Sequence, residues 1–489
     1  MIFRNTAKFV IDFLNYSAEF LNRFASFNDI IKLQIRKEKI SMNLSLKFNY
    51  DYSECMVMKL GLAIPDKEHK NKSKVLLTFD EALDYIKKID NITQGITKIY
   101  YLVGWQYLGH DDKYPDFFEV NKALKRKEDK TAWDSFKWLS DEAKKYHSVI
   151  SVHINFNDAY DNAPSFNDFV KAGALIRKKN GKPNPIEKYN GRKCYKTCHK
   201  GYYESGLFKR QFDRFADTFP FIAVSGTIHV DNFQCYKNYA PYVSIKEMQT
   251  ARRKMIEYVK SKGIDITSEF TYKESDTLLN KPIFGLPRDH FKSSPMDTVG
   301  LIPMSWWCYR MTDKELLETS PKIYCQGTFR EKTLNNIFYG NMHGEDIVKK
   351  DNTDWVNDFI YAFATYQVPG HYLNSLKRVA IKGRVNNKFC EFSDGVVSYA
   401  KGRKITKSGK IVKDGDNLFL PFVHEKSTYI AYSKNGDCRD WSVFEDDKTM
   451  ADVYKITENG NEFVREIPIN NNKLHINLPE KIGYKITLK

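Results

Sequence analysis

The chain has 489 residues, 42% of them hydrophobic and 28% charged, which excludes collagen-like, disordered and coiled-coil classes. That length suggests two or three domains, and no stretch approaches the ~18 uninterrupted apolar residues of a membrane helix, so no transmembrane segment is expected. A balance of 77 basic against 61 acidic side chains gives a net charge of +16. The positive residues are spread along the chain apart from Arg177–Lys200, no nucleic-acid motif accompanies them, and nucleic acid is not an expected partner.

Residues 1–44 stand apart as an N-terminal helical segment, with Phe9, Val10, Phe13, Leu14, Phe20, Leu21 and Phe24 recurring at helical spacing. Asp12 and Asn15 break the apolar run, so it does not read as a secretory leader. The expectation is a cytoplasmic protein, with secretion as the alternative. A start at Met42 would put residues 1–41 outside the native protein.

Residues 45–377 alternate short apolar runs with helix-like segments. Lys74–Leu77 reads as a strand, and Thr78 with Glu81 has the spacing of a capping box that opens a helix through Ile89. Ile99–Val103 is the next strand, Ala132–Tyr146 a helix, Val149–Phe156 a strand and Leu207–Thr218 a helix. Phe221–Asp231 reads as a strand, Ser244 and Glu247 form a second capping box, Gly263 ends that helix, and Ile264–Glu269 is the next strand. Leu301–Trp307 and a helix near Trp355–Tyr366 continue the rhythm. Repeated βα units predict a parallel sheet, and at this length a (β/α)8 TIM barrel is the expected closure. A doubly wound sheet is the alternative, without a Gly-x-Gly-x-x-Gly to support it.

From 378 to 489 the texture becomes all-β, with strand-like runs at Val396–Tyr399, Leu418–Phe422, Tyr429–Tyr432, Val453–Ile456, Leu474–Leu478 and Tyr484–Leu488. Asn435-Gly436 and Asn459-Gly460 mark turns between them, which predicts a sandwich-like domain. The eight cysteines are too scattered for a disulfide framework and suit a reducing compartment. Cys194, Cys198 and His199 lack a second ligand pair, so they read as loop thiols, and no metal or cofactor is expected.

Barrel enzymes work at the carboxyl ends of their strands. Those ends carry Trp105, Gln106 and Asp111, then His153 and Asn155, then His229 and Asp231, then Glu269, then Trp306. Carboxylates, imidazoles, amides and indoles on one rim suit a sugar site. Trp105 reads as either a stacking platform or barrel core, and a regular strand lets only one of Trp306 and Trp307 line the site. Asp231 and Glu269 end consecutive strands, which lie ~4.8 Å apart and so can set two carboxyl groups at the ~5–5.5 Å of a retaining glycosidase.

Gly104-Trp105-Gln106, Gly109-His110-Asp111 and Tyr114-Pro115-Asp116, followed by Val152-His153-Ile154-Asn155, Ile228-His229-Val230-Asp231 and Thr267-Ser268-Glu269, resemble the motifs of glycoside hydrolase family 101. That family comprises the endo-α-N-acetylgalactosaminidases, and the related family 129, α-N-acetylgalactosaminidases, is similar. The resemblance covers about Tyr100 to Tyr272 well and the later barrel loosely. It implies a retaining hydrolase of O-glycans or other glycosides of α-linked N-acetylgalactosamine, with a carbohydrate as the partner. It also implies Asp231 as nucleophile, Glu269 as acid and then base, and Asp111 and His153 as grips on the sugar hydroxyls. Endo and exo action stay open, as do an α-galactoside substrate and a non-catalytic carbohydrate-binding barrel.

Overall fold

The computed structural model describes residues 48–268 except 70, 190 and 232, then 301–303, 313, 317, 332–339 and 344–489. The expected helical segment at 1–44, Glu269 and Trp306 lie outside the described residues.

Met56–Gly61 (β1) is an apolar run with only Lys59 and Gly61 less than buried, and it opens a six-stranded sheet. Next to it, in chain order, lie Lys98–Val103 (β2), Ser148–Ile154 (β3), Thr227–Val230 (β4), Asp265–Ser268 (β5) and Leu301–Pro303 (β6). Every neighbouring pair is parallel. Each new strand joins the same edge, which is barrel-type winding; a doubly wound sheet reverses its order at a switch point. The described strands therefore form a parallel α/β domain wound in the order of a TIM barrel. The expected closure into eight strands falls on residues outside the described ones.

Local chemistry explains most element starts. Phe79–Ile92 (α1) begins at a reciprocal Thr78–Glu81 capping box, and Ile245–Ser261 (α2) at the Ser244–Glu247 box, each satisfying two orphan amides. Three expectations change. Lys74–Leu77 is not the first barrel strand: Ser73–Val75 pairs antiparallel with Ala63–Pro65, half exposed, while the more apolar β1 takes the buried place. Phe221–Asp231 is not one strand, because Pro220 at the first helical position starts the helix Pro220–Ser225 and left-handed Gly226 ends it, leaving β4 at four residues. Pro185–Tyr189 and Arg192–Lys196 form a three-stranded antiparallel sheet with Asp158–Tyr160. Cys194 is thus buried within a strand of that sheet and Cys198 at the start of the helix His199–Glu204, so neither is a loop thiol.

The C-terminal region is a twelve-stranded antiparallel sheet. In Asn417–Pro421 (β7) and Thr428–Ser433 (β8), Leu418, Leu420, Ile430 and Tyr432 share one core with Ile360 and Phe363 of the helical layer. The intervening Phe419, Tyr429 and Ala431 pack with Trp441, Leu474 and Ile476 in a second core. Period-two alternation therefore serves two apolar faces at once. Gly436 and Gly460 both have positive φ, at the turns read from Asn435-Gly436 and Asn459-Gly460.

Candidate active site

The carboxyl ends of β2 to β5 gather the candidate residues. After β2 the chain presses against the 63–65 strand: the His110 amide donates to the Ala63 carbonyl at 2.9 Å. A Cβ at Gly104 would come within 1.9 Å of that carbonyl oxygen and one at Gly109 within 2.6 Å, so only glycine permits the approach. This loop delivers His110 and Asp111. Asp112 is occupied by Arg192 and by the Leu108 amide, so Asp111 is the free member of the adjacent pair.

Asp231 is the focus. Its amide donates to the Ile154 carbonyl at 2.9 Å, extending the β3–β4 pairing, and its own carbonyl accepts from the Ser268 hydroxyl at 3.0 Å. One carboxylate oxygen lies 3.8 Å from His153 Nε2, and the other accepts from Asn155 Nδ2 at 3.3 Å. Asn155 is itself fixed, its oxygen accepting the amides of Asn157 and Asp158 at 2.7 and 2.9 Å. Asp158 is neutralised by Lys196 at 2.6 Å.

Three imidazoles cluster around Asp231, edge-on and tilted to one another. His153 and His229 rings lie 5.2 Å apart, His110 meets His153 at 5.2 Å, and His229 Nδ1 pairs with Thr267 Oγ1 at 2.9 Å. The His153 carbonyl accepts from Trp105 Nε1 at 3.1 Å and from the Tyr114 hydroxyl at 3.4 Å.

The protonation states diverge. Burial disfavours charge on Asp231, but the His153 contact, Lys59 and His110 outweigh it and hold the carboxyl well below the usual carboxylate range. Burial, then the charges of Asp231 and Asp158, push Asp111 well above it. Burial and the Lys59 charge lower His153 and His229, and burial with His153 lowers His110 to about 3. At neutral pH Asp231 is therefore an ionised carboxylate among neutral imidazoles, while Asp111 is shifted in the opposite direction. Two titratable groups with environments this different suit different roles in acid–base chemistry.

Exposure sorts the candidates. The side chains of Asp231 and His110 are 21% and 28% exposed, whereas Gln106, Asp111, His153, Asn155 and His229 are buried. Trp105 is a correction: its indole is fully buried against Phe136, Phe215 and Phe219, with ring centroids 5.2–6.5 Å away, and no sugar can stack on it. It anchors the His153 backbone instead. His229 packs against the His153 ring, and Asn155 hydrogen-bonds Asp231.

Lys59 is not among the residues that the strand ends single out. The signal for Lys59 was a single charge inside the Met56–Leu60 apolar run. The described β4–β5 ladder ends at Val230 opposite Ser268, one residue short of Asp231 and of Glu269. Among the described residues, no group of three or more His, Cys, Asp or Glu side chains is placed to hold a metal ion.

The chain is similar to the alpha-N-acetylgalactosaminidase NagBb of Bifidobacterium bifidum in its GalNAc complex, at 15% identity and a TM-score of 0.49, covering 76% of this chain and 60% of that one. The ligand-free NagBb structure gives 15%, 0.48, 75% and 58%. The alpha-amylase of Geobacillus thermoleovorans with acarbose gives 10%, 0.43, 90% and 99%. The chain thus spans about three-fifths of the length of NagBb. The strand ends that bring His153, Asn155, His229 and Asp231 together all lie within residues 70–279, the stretch that matches the family model of the endo-alpha-N-acetylgalactosaminidases, glycoside hydrolase family 101.

Proposed function

We propose that the chain is a retaining α-glycoside hydrolase that releases α-linked N-acetylgalactosamine, or a disaccharide containing it, from glycoconjugates. The observation that carries this reading is Asp231: a carboxylate held ionised at a strand end, oriented by His153 and Asn155, and accessible from the rim. The family match over residues 70–279 supports the sugar class.

In the proposed cycle Asp231 attacks the anomeric carbon while Glu269 protonates the departing glycosidic oxygen, giving a β-linked glycosyl-enzyme. Glu269 then removes a proton from water, which attacks from the open face and releases the α product. Asp111, whose charge burial and the neighbouring Asp231 disfavour, hydrogen-bonds a sugar hydroxyl. His153, neutral and fixed through its backbone by Trp105, steadies Asp231. His110, beside Asp111 at the opening, offers a second polar contact.

A panel of aryl α-glycosides tests the reading. Hydrolysis of the α-N-acetylgalactosaminide, or of the aryl glycoside of a disaccharide ending in it, is expected, with the α-galactoside much slower. Preference for α-galactoside would reassign the sugar. Binding without hydrolysis of any member would favour a carbohydrate-binding role.

A further inference from the structure

Outside this site, two strands of the C-terminal sheet carry a second arrangement of reactive groups. Asp437–Ser442 (β9) pairs antiparallel with Lys473–Leu478 (β10), Asp440 opposite His475 and Cys438 opposite Asn477. Alternation turns Trp441, Leu474, Ile476 and Leu478 into the core. Cys438, Asp440, His475 and Lys473 are left on the outer face.

There the side chains align. Cys438 Sγ is 3.6 Å from His475 Nε2, and His475 Nδ1 is 2.8 Å from Asp440 Oδ1. The Asp440 carboxylate accepts a hydrogen bond from Nδ1–H, which leaves the Nε2 lone pair directed at the thiol. A nucleophile, a base and a group orienting the base stand in sequence. The Asp440 and His475 side chains are 50% and 69% exposed and Cys438 is exposed. Cys55, Cys194, Cys198, Cys235 and Cys390 are all buried.

The surroundings select the chemistry. β9 and β10 pair along their whole length, and acyl transfer would require preorganised amides aimed at a developing oxyanion. Exchange with a disulfide needs no such element, because charge passes from sulfur to sulfur. Lys473, on the same face two residues before His475, offers a cation to a carboxylate-bearing reagent.

We propose that Cys438, His475 and Asp440 form a thiol-modification site that takes small, carboxylate-bearing disulfides. His475 Nε2 accepts the Cys438 proton as the sulfur attacks one sulfur of the disulfide. The reagent's S–S bond breaks, a bond from Cys438 Sγ to one half forms, and the other half leaves as a thiolate that takes the proton from the imidazolium. A protein thiol and a disulfide become a mixed disulfide and a free thiol, with the small disulfide as the oxidant.

The test uses the full chain and glutathione disulfide, with adduct formation followed by intact mass and located by peptide mapping. An adduct at Cys438 is expected, absent from Cys438→Ser. His475→Gln should slow its formation about tenfold at pH 7, because it removes the base. Near pH ~9.5, where an ordinary exposed thiol is ionised, native and variant rates should converge. Asp440→Asn should give a smaller loss at pH 7. No adduct at Cys438, a His475→Gln rate equal to the native rate at pH 7, a loss that persists undiminished at the higher pH, or a Cys438-linked dimer as the product would each overturn the proposal.

Discussion

In the C-terminal sheet, β7 and β8 place hydrocarbon on both faces, Leu418, Leu420 and Ile430 on one side and Phe419 and Ala431 on the other. In the parallel sheet, one face runs across neighbouring strands as Tyr101, Ser151, His153, Thr227, His229, Asp265 and Thr267, nearly all buried. The first pattern is stabilised by area: each fully buried side chain contributes roughly 1.5–3 kcal/mol and a similar apolar residue serves as well. The second holds only because its groups satisfy one another. Tyr101 and Thr227 meet at 2.6 Å, Tyr52 bonds Thr227 at 2.8 Å and Asp265 at 3.1 Å, and His229 pairs with Thr267 at 2.9 Å. Removing one partner there strands another buried polar group at a cost of about 1–3 kcal/mol. A polar interior of this kind adds nothing to stability that leucines would not, and it ends under Asp231. Its return is a charged group fixed in place.

The largest contrast should come from single substitutions in the two regions. Asp231→Ala is expected to lower kcat by roughly 10⁴-fold on every substrate. Ile430→Ala is expected to leave kcat unchanged and to cost about 2–5 kcal/mol in urea unfolding. A catalytic loss from the second as large as from the first would erase the distinction.

Glu269→Ala sharpens the reading within the site. An activated aryl aglycone leaves without protonation, so its first step should survive far better than that of a Ser/Thr-linked or sugar aglycone. Azide needs no general base, and it should restore turnover and yield the α-glycosyl azide from the β-linked intermediate. Equal losses on both aglycones, or a β-azide, would remove Glu269 from the acid–base role.

Trp105→Ala tests whether an aromatic at the rim belongs to the core. The expectation is a loss of about 3–5 kcal/mol in unfolding free energy, measured by urea, together with a fall in kcat as His153 loses its anchor. A raised KM with unchanged stability would return Trp105 to the sugar-binding face.

A smaller, distributed effect concerns acid. Burial lowers His199 and His371 to about 3 each, and both are almost wholly enclosed. The unfolded chain binds protons at these positions below its ordinary value of ~6.5 while the folded chain does not, so stability rises with pH across that window and falls as pH drops from ~6.5 toward 3. Urea midpoints should therefore decline from pH 7 to pH 5. Replacing either imidazole by Gln should flatten the decline, and an unchanged slope would contradict the assignment.

Much of this architecture was legible because local chemistry and burial agree. Thr78–Glu81 and Ser244–Glu247 state their helix starts outright, Leu207–Thr218 has the bounds its apolar spacing predicts, and the strand-end motifs bring His153, Asn155, His229 and Asp231 together. Other features depend on tertiary context. Met56–Gly61 outcompetes Lys74–Leu77 for the sheet through burial of both faces, which no local pattern announces. Phe221–Asp231 is apolar enough for a strand, but Pro220 and Gly226 partition it into helix and strand. Trp105 suits core and platform equally until the phenylalanines of distant helices are seen around it. Lys59 depends on which strand its run becomes.

The central claim is that Asp231 forms a covalent bond to the sugar, which fixes the stereochemistry of the product. Proton NMR of an aryl α-N-acetylgalactosaminide during the first moments of hydrolysis reads this directly, before mutarotation mixes the anomers. The account predicts that the α anomer of the released sugar appears first and the β anomer grows in only later. Initial appearance of the β anomer would mean direct displacement by water, with no bond to Asp231, and would contradict it.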